Sequence, residues 1–175
     1  TLGGRLYHQQ MHDEMVLNVF LGAVGENVNL DETSRWGADF SASYALTESV
    51  DLSLQYSWVD AKIVGGDFDG SEVPLVSEYK ARFVVDYRAS ESITITTGAT
   101  FTHEAVIGSD FANALETLEE YILIDLSVRY KLNEHIEFFA TVDNLFDEEY
   151  QSTGFANRVG TEGFYPGVGR SAKLG

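Results

Sequence analysis

The sequence contains no cysteine, which excludes a disulfide framework and any cysteine-ligated metal site. Cations are scarce: 11 Lys and Arg face 28 Asp and Glu, for a formal net charge of −17. A nucleic-acid partner, whose phosphates need Lys and Arg, is thereby excluded. Proline occurs only twice, while 44% of residues are hydrophobic and 13% aromatic, a balance that argues for β structure and against disorder. Nowhere do about 18 apolar residues follow one another, so no transmembrane helix is expected. No basic stretch leads into an apolar one, so no signal peptide is expected within these residues; that does not exclude export. At 175 residues, one ordinary domain is expected.

What is present is an eight-residue phrase that occurs three times. It reads Ser43-Tyr44-Ala45-Leu46-Thr47-Glu48-Ser49-Val50, then Asp86-Tyr87-Arg88-Ala89-Ser90-Glu91-Ser92-Ile93, then Arg129-Tyr130-Lys131-Leu132-Asn133-Glu134-His135-Ile136. The tyrosines stand 43 residues apart both times, each followed by Glu at +4 and Val or Ile at +6. A small polar turn former (Thr47, Ser90, Asn133) sits at +3 every time. A propeller blade fits four short strands into about 40–45 residues. Here a single polar break separates two long segments in each period. Val50–Ile63 and Tyr79–Tyr87 flank Gly65–Gly70; Ile93–Ile107 and Tyr121–Tyr130 flank Gly108–Glu120. Tight turns alternating with long loops are the layout of a transmembrane barrel, with short periplasmic turns and longer extracellular loops.

The alternation has the period of strands. Trp36, Ala38, Phe40, Ala42, Tyr44 and Leu46 share one face, opposite Asp39, Ser41 and Ser43. The same division runs through Val50–Trp58, Tyr79–Tyr87, Ile93–Phe101 and Ile122–Tyr130. A half-buried soluble sheet alternates likewise. Three features favour the membrane. The predicted strands run about 11–15 residues, beyond the soluble mode of about 5–6. Tyr44, Tyr87 and Tyr130 recur at one level, as an interfacial aromatic girdle requires. The apolar face carries no Asp, Glu, Lys or Arg through five strands. On the other face, Asp39, Asp51, Lys80, Arg82, Asp86, Asp125, Arg129 and Lys131 point to a wide, hydrated or plugged lumen. Leu2–Phe20 reads as a weaker strand and Gly22–Asn29 as a loop. His8 and His12 read as two polar lumen or loop residues, too far apart at about 13 Å for one metal ion.

The last 40 residues carry the most specific motif. Ile136–Tyr150 contains Asn144-Leu145-Phe146-Asp147 followed by Tyr150, and then comes Tyr165-Pro166-Gly167-Val168-Gly169-Arg170. This pair of segments resembles the penultimate strand and last-strand entry of TonB-dependent outer-membrane receptors. Asn29-Leu30-Asp31 with Trp36-Gly37-Ala38-Asp39, and Val73-Pro74 with Tyr79-Lys80, are similar to further strand entries of that family; the second lacks one Pro and has Tyr79 for His. The resemblance implies an all-β, antiparallel transmembrane β-barrel, of which residues 1–175 are the C-terminal portion. About eight strands of a 22-stranded plugged barrel are expected, with the plug domain and N-terminal strands absent and the last strand clipped before its terminal aromatic. Two sheet edges are then unpaired.

The same resemblance implies an active transporter in the outer membrane of a Gram-negative bacterium, importing a ferric siderophore, cobalamin or similar chelate. Its partners are then the lipid bilayer, the TonB system acting through the missing plug, and a small-molecule chelate. Neither catalysis nor a cofactor is implied, and no metal site. The motif residues read as structural, with Arg170 facing the lumen and pairing with Asp143 or Asp147. Loop residues Asp67, Phe68, Asp69, Phe111, Tyr121, Phe155, Arg158 and Tyr165 are the ligand-binding candidates. These loops are mainly acidic, which suits neutral or cationic ligands, or carboxylates tied by Ca²⁺, better than a polyanionic chelate; an acidic surface also simply keeps an exported face soluble. Rival readings are a passive porin or small eight-stranded barrel, a barrel enzyme built on His103, Ser109 and Asp110, and a soluble β-sandwich.

Overall fold

The computed structural model describes residues 1–22 and 24–175, and it is built from antiparallel strands. Eight of them form one sheet, in the order β1 (Leu2–Met11), β4 (Glu32–Ala45), β5 (Val50–Val64), β6 (Tyr79–Arg88), β7 (Ile93–Thr102), β8 (Tyr121–Lys131), β9 (Glu137–Asp143) and β12 (Ser171–Leu174). Two further hairpins, β2 (Glu14–Asn18) with β3 (Glu26–Leu30) and β10 (Gln151–Ala156) with β11 (Glu162–Pro166), stand apart from the sheet. β1 and β12 are its two edges.

The repeated phrase sets the register. Val50 lies opposite Tyr87, and Ile93 lies opposite Tyr130. The +6 residue of one phrase thus meets the tyrosine of the next, so a constant 43-residue interval keeps the turns level. Each turn is closed by its +3 side chain. Thr47 Oγ1 accepts from Ser49 N, Ser90 Oγ from Ser92 N and Ile93 N, and Asn133 Oδ1 from His135 N and Ile136 N, at 2.9–3.2 Å. These are local side-chain-to-backbone bonds of the kind that favour Ser, Thr and Asn in turns.

That register lines up the apolar sets across every strand. Phe40 faces Tyr56, Leu54 faces Phe83, Ala99 faces Ile124, and Leu126 faces Val142. Tyr44, Tyr87 and Tyr130 are 64%, 43% and 41% exposed, which leaves them free to meet a lipid headgroup layer. On the opposite face the charges form cross-strand pairs: Arg5 with Asp39, Arg88 with Asp51, Arg82 with Asp125, Arg129 with Glu137, and Lys173 with Asp143. The polar face is more fully paired than a merely hydrated lumen requires.

Several expected boundaries move. Leu2–Phe20 is not one strand, because Asp13 turns the chain at φ 55° and β2 leaves the sheet. The second half of the expected loop Gly22–Asn29 becomes β3, paired Val16 to Val28; Ala23 within the first half lies outside the described residues. β4 starts at Glu32, four residues before Trp36. β7 stops at Thr102, and only the bridge Ala105 to Leu118 prolongs it. β9 ends at Asp143 rather than Tyr150, because Asn144 and Asp147 adopt positive φ. The wall strands span 4 to 15 residues, a wider range than expected. His8 also changes side: it lies opposite Trp36 on the apolar face and stacks on it at 4.1 Å.

Among the described residues, hydrophobic burial gathers at the loop end of the wall and above it. Leu30, Ala61, Ile63, Val73 and Phe111 form one core, with Val16 and Phe68 against it. Ala105, Ile107, Leu118 and Ala156 form a second, with Val19, Leu115 and Phe164. A fully buried Ile or Leu contributes roughly 1.5–3 kcal/mol, so these loops carry enough apolar burial to hold a shape. The two faces of the wall make an exacting comparison: Leu126→Arg is expected to destabilise the protein by about 2–4 kcal/mol in denaturant titrations in lipid vesicles, and Ser127→Arg by much less.

Candidate functional site

The motif Asn144-Leu145-Phe146-Asp147 makes a clasp between the end of β9 and the start of β12. Asn144 is buried, and its backbone N donates to Asp125 Oδ1 at 3.0 Å. Its side chain spans the turn, accepting from Glu148 N at 2.8 Å and donating to Glu148 O at 2.9 Å. Asp147 Oδ1 accepts from Arg170 N at 2.8 Å, and the Arg170 guanidinium lies 3.8 Å from Asp147 Oδ2. Asp143 pairs instead with Lys173. Tyr150 stacks on Tyr121 at 4.4 Å, and its carbonyl accepts from Gly167 N. A Cβ at position 167 would fall 2.1 Å from the Tyr150 ring, a stiff group already held by its stacking partner. Sequence spacing alone gave no sign of that contact.

The loops lock onto one another. Ser109 Oγ donates to Leu17 O at 2.7 Å, which ties the 108–118 loop to β2. Glu72 N donates to Asn113 Oδ1 at 2.6 Å, and Asn113 Nδ2 returns to Glu72 O. Asp110, also buried, accepts from Ala114 N and Leu115 N. Gly108 bridges Phe155. Ser109 and Asp110 are therefore engaged with backbone, while His103 Nδ1 faces Glu120 at 3.1 Å and its ring meets Tyr79. No nucleophile and base come together there.

These contacts sort the eight ligand-binding candidates. Phe111 is only 5% exposed and packs against the half-buried Phe68 at 5.7 Å. Asp69 accepts from Gly65 N to shape its own loop, leaving Asp67 exposed beside it. Tyr121 is stacked on Tyr150. Phe155, Arg158 and Tyr165 do meet: with Val19 and Ala156 they line a groove of about 300 Å³, and Phe155 and Tyr165 sit edge to face. The Arg158 guanidinium donates to Gly22 O. Among the described residues, no group of three or more His, Cys, Asp or Glu is placed to hold a metal ion.

The profile described as TonB dependent receptor-like, beta-barrel matches residues 3–145. The chain belongs to that family. It therefore lies in the outer membrane of a Gram-negative bacterium, its eight-stranded sheet forming part of a receptor barrel. It is 41% identical over 56 residues to the vitamin B12 transporter BtuB of Vibrio vulnificus (strain YJ016), which covers 32% of this chain and 8% of that protein. An iron-regulated outer membrane virulence protein of Vibrio cholerae is 25% identical over 123 residues, 70% of this chain and 19% of its own length. Among solved structures, the ferric yersiniabactin uptake receptor FyuA of Yersinia pestis superposes with a TM-score of 0.80 at 17% identity, over 99% of this chain and 26% of that one. The copper transporter OprC gives 0.78 at 17%, over 98% and 28%. The chain thus spans less than a third of each relative. These are transport receptors rather than enzymes, which removes the reading of His103, Ser109 and Asp110 as a catalytic set.

Two results would check this description of the TonB-dependent receptor wall. Gly167→Ala should lower the yield of heat-resistant folded receptor, since the added methyl has no room beside Tyr150. Glu78 supplies a pH test: the Trp58 indole donates to its Oε1 at 3.0 Å and holds the carboxyl below the usual carboxylate range, against the opposing pull of burial. A depressed folded-state value gives stability above the unfolded value that is lost as pH falls through the folded one. Glu78→Gln should therefore lower receptor stability at neutral pH and flatten the acid limb, since the variant has no charge-assisted bond left to lose on acidification.

Proposed function

We infer that this chain forms wall and mouth of an active importer that takes a scarce chelate, such as a ferric siderophore, cobalamin or a similar complex, across the outer membrane. The family match over residues 3–145 carries the reading, and the relatives named for vitamin B12 and ferric yersiniabactin uptake support the ligand class. The TonB system supplies energy through a plug contributed by the rest of the receptor. Phe155, Tyr165 and Arg158 line the open groove and are the ligand-facing members of the candidate set; Asp67 is an exposed group of another loop. Phe68, Asp69, Phe111 and Tyr121 act on the ligand only by shaping the loops that carry it.

The mechanism is capture followed by energised release, with no bond made or broken in the ligand. Aromatic edges give contact area at low ordering cost, and the acidic loops disfavour a polyanion by like-charge repulsion. Uptake of radio-iron chelates and of labelled cobalamin by cells carrying the full receptor tests the reading. Uptake that saturates and disappears without TonB is expected; uptake that rises linearly with concentration and ignores TonB would identify a passive porin. Joint replacement Phe155→Ala and Tyr165→Ala should weaken binding of the accepted ligand about tenfold, on the order of 1.4 kcal/mol.

A further inference from the structure

Most charges of the lumen face find partners; among the described residues Lys131, at the turn end of the wall, and Lys80, near the opposite rim, have none. Lys80 lies opposite Thr102, and Thr102 lies opposite Tyr121, so three polar side chains stand in a row across β6, β7 and β8. Arg82, two residues along, is taken by Thr100 and Asp125, and Asp39 is taken by Arg5 and Ser57. Among the described residues, the Lys80 ammonium has neither a carboxylate within ion-pair distance nor a hydrogen-bond partner.

The exposed Lys80 borders a niche of about 150 Å³ beneath the loops, lined also by Ser77, Thr102, Glu119, Tyr121 and Thr153, with Gln151, Ser152 and the Glu120-bonded His103 at its margin. The hydroxyls of Thr102, Tyr121, Ser77 and Thr153 make no hydrogen bond to any described group. Leu75, Ala105 and Leu118 supply an apolar floor. The niche is held from behind: Leu75 N donates to Val106 O, Ala105 and Leu118 exchange backbone bonds, and Tyr121 is stacked on Tyr150. It is preformed by the fold, as ligand sites usually are.

We propose that this niche is a lumen-wall subsite for a compact polar arm of the imported chelate, one that carries an oxyanion together with hydrogen-bond donors, such as a hydroxy-acid or amino-acid arm. The inference rests on the import reading and names the ligand chemistry for it. The Lys80 ammonium takes the oxyanion. The neighbouring hydroxyls supply neutral donors and acceptors, and Glu119 takes an ammonium or hydroxyl donor. One cation and one carboxylate select a locally neutral or zwitterionic arm over a polyanion, in keeping with the acidic loops above. A hydrogen bond to a charged group is worth more than one between neutral groups.

The test uses the intact receptor, in two arms. In the first, binding of the radio-iron complex of a neutral trihydroxamate bearing a terminal amino acid is compared between wild type and variants. Lys80→Met and Thr102→Val should each raise Kd about tenfold, while Lys80→Arg, which keeps the charge, should lose less. Equal Kd for wild type and Lys80→Met would overturn the proposal. In the second arm, acetylation of Lys80 by a small amine-reactive ester is followed by mass spectrometry with and without free serine, a probe that needs no iron, with exposed Lys131 as the internal reference because serine itself consumes the ester. Serine should slow the labelling of Lys80 several-fold relative to Lys131. An unchanged ratio of Lys80 to Lys131 labelling with and without serine would overturn the niche. Resistance to labelling in the empty receptor would also overturn it, by showing that a group of the receptor itself fills the space. If no iron chelate binds wild type, the import reading falls, and the serine arm still decides the niche.

Discussion

Everything in this wall depends on the pairing of backbone amides between neighbouring strands. A strand that crosses a bilayer has no water to satisfy its N–H and C=O groups, and an unsatisfied pair costs several kcal/mol. Register is therefore the quantity the sequence must specify most tightly, since a one-residue slip would put every lipid-facing side chain into the lumen. The chain secures it at the turns. Thr47, Ser90 and Asn133 each close a turn onto the backbone, and beyond the first two Val50 and Ile93 pair with the tyrosine of the next hairpin.

A wall with lipid on one side and lumen on the other has no interior of its own. Burial of the ordinary kind is displaced upward, into the stacked extracellular segments. Ile107, Ile63 and Thr33 are almost wholly buried, and all lie in or beside the loops rather than at the middle of a wall strand. The mouth of this part of the barrel is thus a packed body, cross-linked through Ser109, Asn113 and Gly108. Its acidic character and its rigidity have separate origins: Asp67 is exposed, whereas Asp110 spends both carboxylate oxygens on backbone amides.

The wall was legible because its information is local. Alternation, tyrosine spacing and turn residues all lie within a few positions of the elements they specify, and family motifs at the end of the chain marked the β9–β12 clasp. The loops were illegible for the opposite reason. Hairpin β2–β3 holds because Val16 and Leu30 reach a core shared with Phe111, about eighty positions further on. Phe111 looked like a loop aromatic available to a ligand, yet it is core; no pattern near it in the sequence distinguishes the two fates. His8 likewise sits in a weakly alternating segment, and only its register with Trp36 shows which face it occupies. Lys80 was read as one lumen charge among many, and its lack of a partner emerges only once its neighbours Arg82 and Asp39 have found theirs.

The pairing of Val50 with Tyr87 and of Ile93 with Tyr130 also makes the hairpin a modular building block. Removing or duplicating one whole interval, from one tyrosine to the next, joins equivalent positions and leaves the inside and outside of every remaining strand unchanged. Barrels of different circumference can then arise by copying a unit whose ends already match, with the lengths of the outer loops free to diverge.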